Sequence, residues 1–105
     1  MRVLVVDDDV HVARALRRML KKVCHVELAT SVDEAERKLD VERDFALILC
    51  DLLLPRRGGV DLYRVLRETN PSMAARLAFM TGMGEDGVQG LGVLKKKGAL
   101  ILAQD

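Results

Sequence analysis

The sequence, 105 residues long, predicts a single α/β domain in which helices cover both faces of a parallel sheet. Short apolar runs of strand length alternate with stretches whose apolar residues recur at helical spacing. The clearest run, residues 45–50, is apolar throughout and leads directly into Asp51. An uninterrupted apolar run is typical of a strand buried on both faces, so we expect this one at the centre of the sheet.

Before the central strand, the sequence predicts two strands and two helices. Residues 3–6 are a short apolar run, which predicts the first strand. The apolar residues of the first helix then follow at helical spacing: Val12, Leu16, Met19, Leu20 and Val23. Residues 25–29 alternate as a half-buried strand does. Ser31 and Glu34 have the spacing of a capping box, which predicts the start of the second helix.

After the central strand, the pattern predicts two further pairs of helix and strand. The expected elements are a helix that ends at Asn70 and Pro71, a strand over 76–80, a helix over about 85–97 and a strand over 99–103. The residue before a proline avoids the helical region, which explains the first of these ends. Gly98 is a typical cap for the helix that we expect before the last strand.

Composition narrows the classes of protein that this chain can belong to. Lysine and arginine number 17 and acids 16, for a net charge of +1, and this balance argues against a general role on nucleic acids or membrane surfaces. Cys24 and Cys50 lie beside or within apolar runs, which favours buried, reduced thiols. No secretory signal and no apolar run of membrane-spanning length occurs in the sequence. We therefore expect a soluble cytoplasmic protein.

Carboxylates follow two of the predicted strands. Asp7, Asp8 and Asp9 come after the first strand, and Asp51 ends the central one. Parallel strands end at one edge of the sheet, where open α/β folds bind ligands. Such acids repel one another unless a cation is present, and hard oxygen ligands favour Mg²⁺. We expect Asp9 to cap the first helix. The alternative for the other acids is that Asp51 begins an ordinary loop and that Asp7 and Asp8 are only solvated.

Three motifs in this order resemble the receiver domain of two-component response regulators. They are Val5-Val6-Asp7-Asp8-Asp9, then Asp51-Leu52-Leu53-Leu54-Pro55 with Gly58 or Gly59, and Met80-Thr81-Gly82. The resemblance extends from Met1 to about Gly82. It implies a flavodoxin-like fold with five parallel strands in the order 2-1-3-4-5, formed by one domain over residues 1–105.

The resemblance also implies a role for each motif. Asp51 would be the phosphoacceptor, Asp8 a direct Mg²⁺ ligand and Asp7 an acid that holds the metal through water. The backbone carbonyl of Leu53 would complete the metal ligands, and Thr81 would be the switch hydroxyl. The phosphoryl group would come from a sensor histidine kinase and the downstream target would be a protein, without direct binding to nucleic acid or membrane. The chain would then be a signalling switch and not an enzyme. The alternative is a pseudo-receiver or a chimeric flavodoxin-like domain that relays nothing.

The last quarter of the chain departs from the receiver pattern. Receivers carry a lysine after the fifth strand and then a fifth helix, whereas this chain has Gln104 and Asp105 there. Residues 80–91 and 98–105 instead resemble part of the chemotaxis protein-glutamate methylesterase catalytic domain, although methylesterase activity is not expected. Two expectations follow: slow or weakly coupled phosphorylation, and a homodimer formed through the sheet face that lacks the fifth helix.

Overall fold

Four neighbouring parallel strands form the part of the sheet that positions the acids. The computed structural model describes residues 1–42, 44–52, 54, 56–81, 91–96 and 99–104, with side chains up to Met80. The four strands are β1 (Arg2–Val6), β2 (His25–Ala29), β3 (Phe45–Asp51) and β4 (Leu77–Thr81). They lie in the order β2-β1-β3-β4, each pair parallel. The predicted order 2-1-3-4 is therefore confirmed, with β3 in the interior of the sheet.

The helices begin where the sequence carries capping residues. They are α1 (Val10–Leu20), α2 (Val32–Val41), α3 (Gly59–Thr69) and α4 (Pro71–Ala74). The Asp9 carboxylate accepts hydrogen bonds from the backbone N–H groups of His11 and Val12 at the start of α1. The Ser31 hydroxyl accepts one from Glu34 N at 3.1 Å, and the Glu34 carboxylate accepts one from Thr30 N at 2.6 Å. The caps predicted at Asp9 and Ser31 are thus confirmed, although the Glu34 carboxylate accepts from Thr30 N and not from Ser31 N as in a capping box.

The short helix α4 was not expected from the sequence, although its signals are present. Asn70 ends α3, as predicted, and its side-chain oxygen accepts a hydrogen bond from Met73 N at 3.2 Å. Pro71 occupies the first turn, where its missing N–H leaves no partner unsatisfied. The residue pair that stops one helix therefore starts the next.

The two faces of the sheet bury separate clusters of side chains. Leu4, Val6, Ile48 and Cys50 point toward α2, α3 and α4. Val3, Val5, Leu49 and others point to the opposite face, where every helical member of the cluster comes from α1. This alternation confirms helices on both faces of the sheet. On the second face, the half-buried Leu20, Leu28 and Leu47 pack at the margin of the cluster. That this face pairs with a second copy of the chain stays a prediction.

The C-terminal part of the sheet differs from the predicted one. Strand β6 (Ala99–Gln104) lies parallel to β4, as expected for the last strand. Residues 91–96, predicted as helix, instead form β5, which pairs with β6 in the antiparallel direction and brings the sheet to six strands. Gly90 and Gly92 weaken a helix here, and two residues separate the strands in sequence, a spacing typical of a hairpin. Residues 85–90, 97 and 98 of that predicted helix and its cap lie outside the described residues.

The structure contains no helix, within the ranges it describes, that is both long enough and apolar enough to cross a membrane. The longest helices, α1 and α3, have 11 residues each. Both carry charged residues, consistent with helices that cover a sheet.

Helix α3 approaches the end of β3 so closely that its first residue must be glycine. A Cβ atom on Gly59 would lie 2.8 Å from the carbonyl oxygen of Asp51 and 2.9 Å from a ring carbon of Phe79. The Gly59 N–H also donates a hydrogen bond of 3.2 Å to the carbonyl of Leu52. Side chains are excluded at this contact because a backbone atom of the central strand cannot easily move aside.

We predict that Gly59→Ala destabilises the fold by about 1–3 kcal/mol, because the added methyl group overlaps the backbone at Asp51. Urea unfolding followed by circular dichroism measures the change. The neighbouring Val60→Ala is the control; Val60 is 42% exposed, so its truncation should change stability by no more than about 0.5 kcal/mol. Equal stability of Gly59→Ala and the unmodified chain would contradict the close contact.

Candidate functional site

Strands β1 and β3 deliver three carboxylates to the same edge of the sheet. Val6 pairs with Cys50 in parallel register, so the residues that follow, Asp7 and Asp51, emerge side by side. One carboxylate oxygen from each of Asp7, Asp8 and Asp51 lies within 4.8 Å of the others. Three of the predicted site residues are therefore brought together by the fold.

Asp7 is the buried member of this acidic cluster. Its residue surface is 1% exposed, and its Oδ1 accepts a hydrogen bond from Asp9 N at 2.8 Å. Its buried Oδ2 has no hydrogen-bond partner among the described residues. Such an atom is costly to bury because it gives up its hydration without replacement.

The electrostatic surroundings of Asp7 disfavour its charged form. The pKa of Asp7 is raised from 3.8 to about 7, chiefly by burial, and the charges of Asp51, Asp8 and Asp9 contribute to this rise. The hydrogen bond from Asp9 N opposes these effects and lowers the pKa. A cation near Oδ2 would compensate for the lost hydration of this oxygen and would reduce the repulsion between the carboxylates.

The other two carboxylates of the cluster are more accessible. Asp8 is exposed, whereas Asp51 is half-buried at the end of β3. Asp9, the third acid of the run, turns away to cap α1. The acid triplet therefore divides, as predicted, into a helix cap at Asp9 and two members of the cluster, Asp7 and Asp8.

The chemistry of this cluster fits a hard divalent cation. Its donors are carboxylate oxygens from three side chains, one of them buried and lacking a hydrogen-bond partner on one oxygen within the described part of the chain. Oxygen ligands of this kind suit Mg²⁺, which binds through a few carboxylates and retains part of its water shell. Asp7, Asp8 and Asp51 could therefore hold a metal ion together.

The two remaining predicted site residues are described in part or not at all. Asp51 pairs with Met80 in the register of β3 and β4, and Thr81 follows as the last residue of β4. The backbone of Thr81 therefore belongs to the same sheet edge as the acids, while its side chain lies outside the described part of the structure. Leu53 also lies outside the described residues.

Cys50 precedes Asp51 but does not extend the reactive cluster. Its side chain is fully buried, and its thiol donates a hydrogen bond of 3.4 Å to the carbonyl oxygen of Asp51. Burial raises the pKa of Cys50 to about 12, helped by the charges of Asp51 and Asp7. The thiol is therefore neutral at physiological pH and is not a nucleophile. Cys24 and Cys50 are both free and buried, as predicted.

The family model for the response regulator receiver domain matches residues 3–98 of this chain. The match continues past Gly82, where the predicted receiver resemblance ended, and includes residues assigned above to a methylesterase-like segment. The comparisons give that methylesterase assignment no support, and the receiver pattern accounts for the chain up to residue 98.

Curated relatives are transcriptional and cell-cycle regulators. The chain is 35% identical over 86 residues to the transcriptional regulatory protein ResD of Bacillus subtilis, covering 81% of this chain and 34% of ResD. It is 34% identical over 94 residues to the cell cycle response regulator CtrA of Brucella ovis, covering 88% of this chain and 40% of CtrA. The chain thus spans less than half the length of these relatives.

Solved structures of similar fold include receiver domains. The receiver domain protein of Methanospirillum hungatei superposes with a TM-score of 0.70 at 29% identity, covering 80% of this chain and 66% of that one. Response regulator TrrA of Thermotoga maritima, solved in complex with Mg²⁺ and BeF, gives 0.70 at 22% identity, covering 77% of this chain and 69% of that one. Since the family model matches nearly the whole sequence and the acids meet at the expected edge, the chain belongs to the response regulator receiver domain family.

Proposed function

We propose that this chain is a phosphoacceptor receiver that takes a phosphoryl group onto Asp51. The observation that carries the proposal is the acidic cluster itself, in which Asp7, Asp8 and Asp51 offer oxygens within 4.8 Å of one another. A solvated loop explains Asp8, but it does not explain why Asp7 is buried with one oxygen unpartnered among the described residues. A site in which these carboxylates bind one cation explains the positions of both Asp8 and Asp7.

The donor in this proposal is a phosphohistidine on a sensor histidine kinase. An oxygen of Asp51 forms a bond to phosphorus, and the phosphorus–nitrogen bond of the donor breaks with its electron pair left on the ring nitrogen. A phosphohistidine that carries a proton on its other ring nitrogen leaves as neutral histidine, and Asp51 becomes an acyl phosphate. Half-buried Asp51 lies at the end of β3, where a donor side chain can approach along the sheet edge. Because the phosphoryl group moves between two protein side chains, the chain is a partner in the transfer and not an enzyme with a turnover of its own.

The metal ligands in the proposal are Asp7, Asp8 and Asp51, with the backbone carbonyl of Leu53. Bound Mg²⁺ would screen the repulsion between the carboxylates and the incoming phosphoryl group. The Mg²⁺ and BeF complex of TrrA supports this ligand class by analogy of fold. Asp7 would contribute through water, and Asp8 directly.

Thr81 is proposed as the residue that senses the modification. Its backbone follows Met80, the residue opposite Asp51 in the strand register, which supports its position at the site. A hydroxyl there would bond the phosphoryl oxygens and bias β4 toward a second conformation that a downstream protein recognises. We place this relay in the cytoplasm, as is typical of response regulators.

We predict that Asp51→Asn abolishes labelling by acetyl phosphate, because the amide cannot act as the nucleophile. Intact-protein mass spectrometry should show the mass of one phosphoryl group on the unmodified chain in the presence of Mg²⁺, and none after chelation of the metal. Asp40→Asn, at an exposed position of α2, is the matched control and should be labelled like the unmodified chain.

Two outcomes of the labelling experiment would contradict the proposal. Labelling that persists in Asp51→Asn would place the phosphoryl group elsewhere. An unlabelled wild-type chain that also fails to bind Mg²⁺ would favour the pseudo-receiver, which retains the fold without relaying phosphate.

We predict that the metal-free protein loses stability as the pH rises from about 4 to about 7. The folded pKa of Asp7, about 7, exceeds the ordinary value of 3.8, so between these values the folded state keeps a proton that the unfolded chain releases. The free energy of unfolding should fall by about 2–4 kcal/mol across this range because of Asp7. Urea unfolding in EDTA at several pH values measures it.

The control for this pH dependence is Asp7→Asn, which keeps the shape of the side chain but cannot ionise. The difference between the two proteins isolates Asp7 from other titrating groups, and the variant should be the more stable one at pH 8 without metal. Added Mg²⁺ should raise the stability of the wild type at pH 8. A wild type that becomes more stable relative to Asp7→Asn as the pH rises would contradict the shifted pKa.

A further inference from the structure

The loop between β3 and α3 begins at Asp51, and its described residues are held at both ends. The Leu52 N–H donates to the carbonyl of Met80 at 3.1 Å, which continues the pairing of β3 with β4. At the other end, the Gly58 N–H donates to the carboxylate of Asp61 at 3.1 Å in the first turn of α3. The first anchor ties the start of the loop to β4, the neighbour of β3, and the second ties its end to α3.

The centre of this loop contains an unfavourable backbone conformation. Arg56 has a φ of 67°, in the left-handed region that costs free energy for any residue with a Cβ atom. Among the described residues it is the one non-glycine with a positive φ. Other contacts must hold the chain in this conformation.

The next residue, Arg57, provides a contact that reaches out of the loop. Its guanidinium donates to Glu36 through two nitrogens, Nη1 to Oε1 at 2.6 Å and Nη2 to Oε2 at 3.1 Å. Nη1 also donates to Asp33 Oδ1 at 2.8 Å. Both acids belong to α2, so Arg57 ties the loop to a helix packed on the sheet beside it.

The geometry of this contact favours a fixed position for the loop. A guanidinium that engages one carboxylate with two nitrogens has a defined orientation, unlike a single ion pair. The side chains of Arg57 and Glu36 are 36% and 27% exposed, so solvent and salt screen the attraction in part. The contact is therefore modest in strength but directional, which suits the selection of one loop conformation.

We propose that Arg57 is a positioning residue for the acidic cluster, and that its contact with Glu36 and Asp33 increases the affinity of the cluster for a divalent cation. This inference rests on the proposed metal-binding function. Asp51 is both a ligand and the last residue before the loop. The sheet fixes its backbone, so a loop that leaves its position changes the orientation of the Asp51 carboxylate toward Asp7 and Asp8. Apparent affinity then falls in proportion to the fraction of molecules in the competent conformation.

A general effect of charge would act in the opposite direction. Arg57 is positive, so removing it reduces repulsion of a cation and, through charge alone, strengthens Mg²⁺ binding. The positioning role predicts weaker binding from the same substitution. The sign of the change therefore separates the two effects.

The test is a titration of the full chain with Mg²⁺ alone. Amide NMR spectra recorded during the titration measure binding and also report whether each variant is folded. Arg57→Gln should weaken Mg²⁺ binding about two- to fivefold, the size expected from a partly exposed ion pair. Arg57→Lys keeps the charge but loses the two-nitrogen contact, and should fall between wild type and Arg57→Gln. Arg64→Gln removes an equal charge from an exposed position of α3 and should bind Mg²⁺ as tightly as the wild type or slightly more tightly.

A double variant decides whether Arg57 acts through α2. If it does, Arg57→Gln combined with Glu36→Gln should bind Mg²⁺ no more weakly than the weaker of the two single variants. Binding by folded Arg57→Gln that equals or exceeds that of the wild type overturns the positioning role while leaving the proposed function intact. Failure of the wild type to bind Mg²⁺ overturns the proposed function as well, so the two failures are distinguishable.

Discussion

One electrostatic constraint acts on the whole structure: three carboxylates that repel one another are held together at the edge of a buried parallel sheet. β1 and β3 are neighbours, and their register places Asp7 beside Asp51. Neither strand can shift by one residue without exchanging the side chains that it presents to the two faces of the sheet, which would disrupt the packing of both apolar clusters. The packing that stabilises the sheet therefore fixes the distance between groups that repel one another.

The architecture around the cluster compensates for this repulsion only in part. Asp9 N satisfies one oxygen of Asp7, and the Asp9 carboxylate is directed to the start of α1. The second oxygen of Asp7 is buried and unpartnered among the described residues. The apolar clusters on the two faces of the sheet must supply the free energy that offsets this arrangement. A cation bound at this edge would therefore also raise the stability of the whole domain.

The sequence located the acidic cluster better than it predicted the end of the sheet, and the reason is physical. Acids that follow buried strands can be located from the apolar pattern alone, and the capping roles of Asp9 and Ser31 follow from local hydrogen bonding. Residues 91–96 were predicted as helix because their apolar spacing is ambiguous, whereas pairing with β6 decided their conformation. Arg57 was missed because its partners are on α2, at least 21 residues away in sequence, and a tertiary ion pair leaves no periodic signal.

The burial of Asp7 also bears on whether the domain is a switch or only a scaffold. A scaffold gains nothing from an ionisable group that is 1% exposed and whose pKa is raised to about 7; an apolar or amide side chain of similar size would be easier to bury. Asp9, by contrast, has a structural role because it caps α1. Local rules of stability are broken at Asp7 while they are kept at Asp9, and departures of this kind are expected where a site serves a ligand. The position of a single oxygen atom, the buried Oδ2 of Asp7, therefore supports the proposed cation site over a scaffold without one.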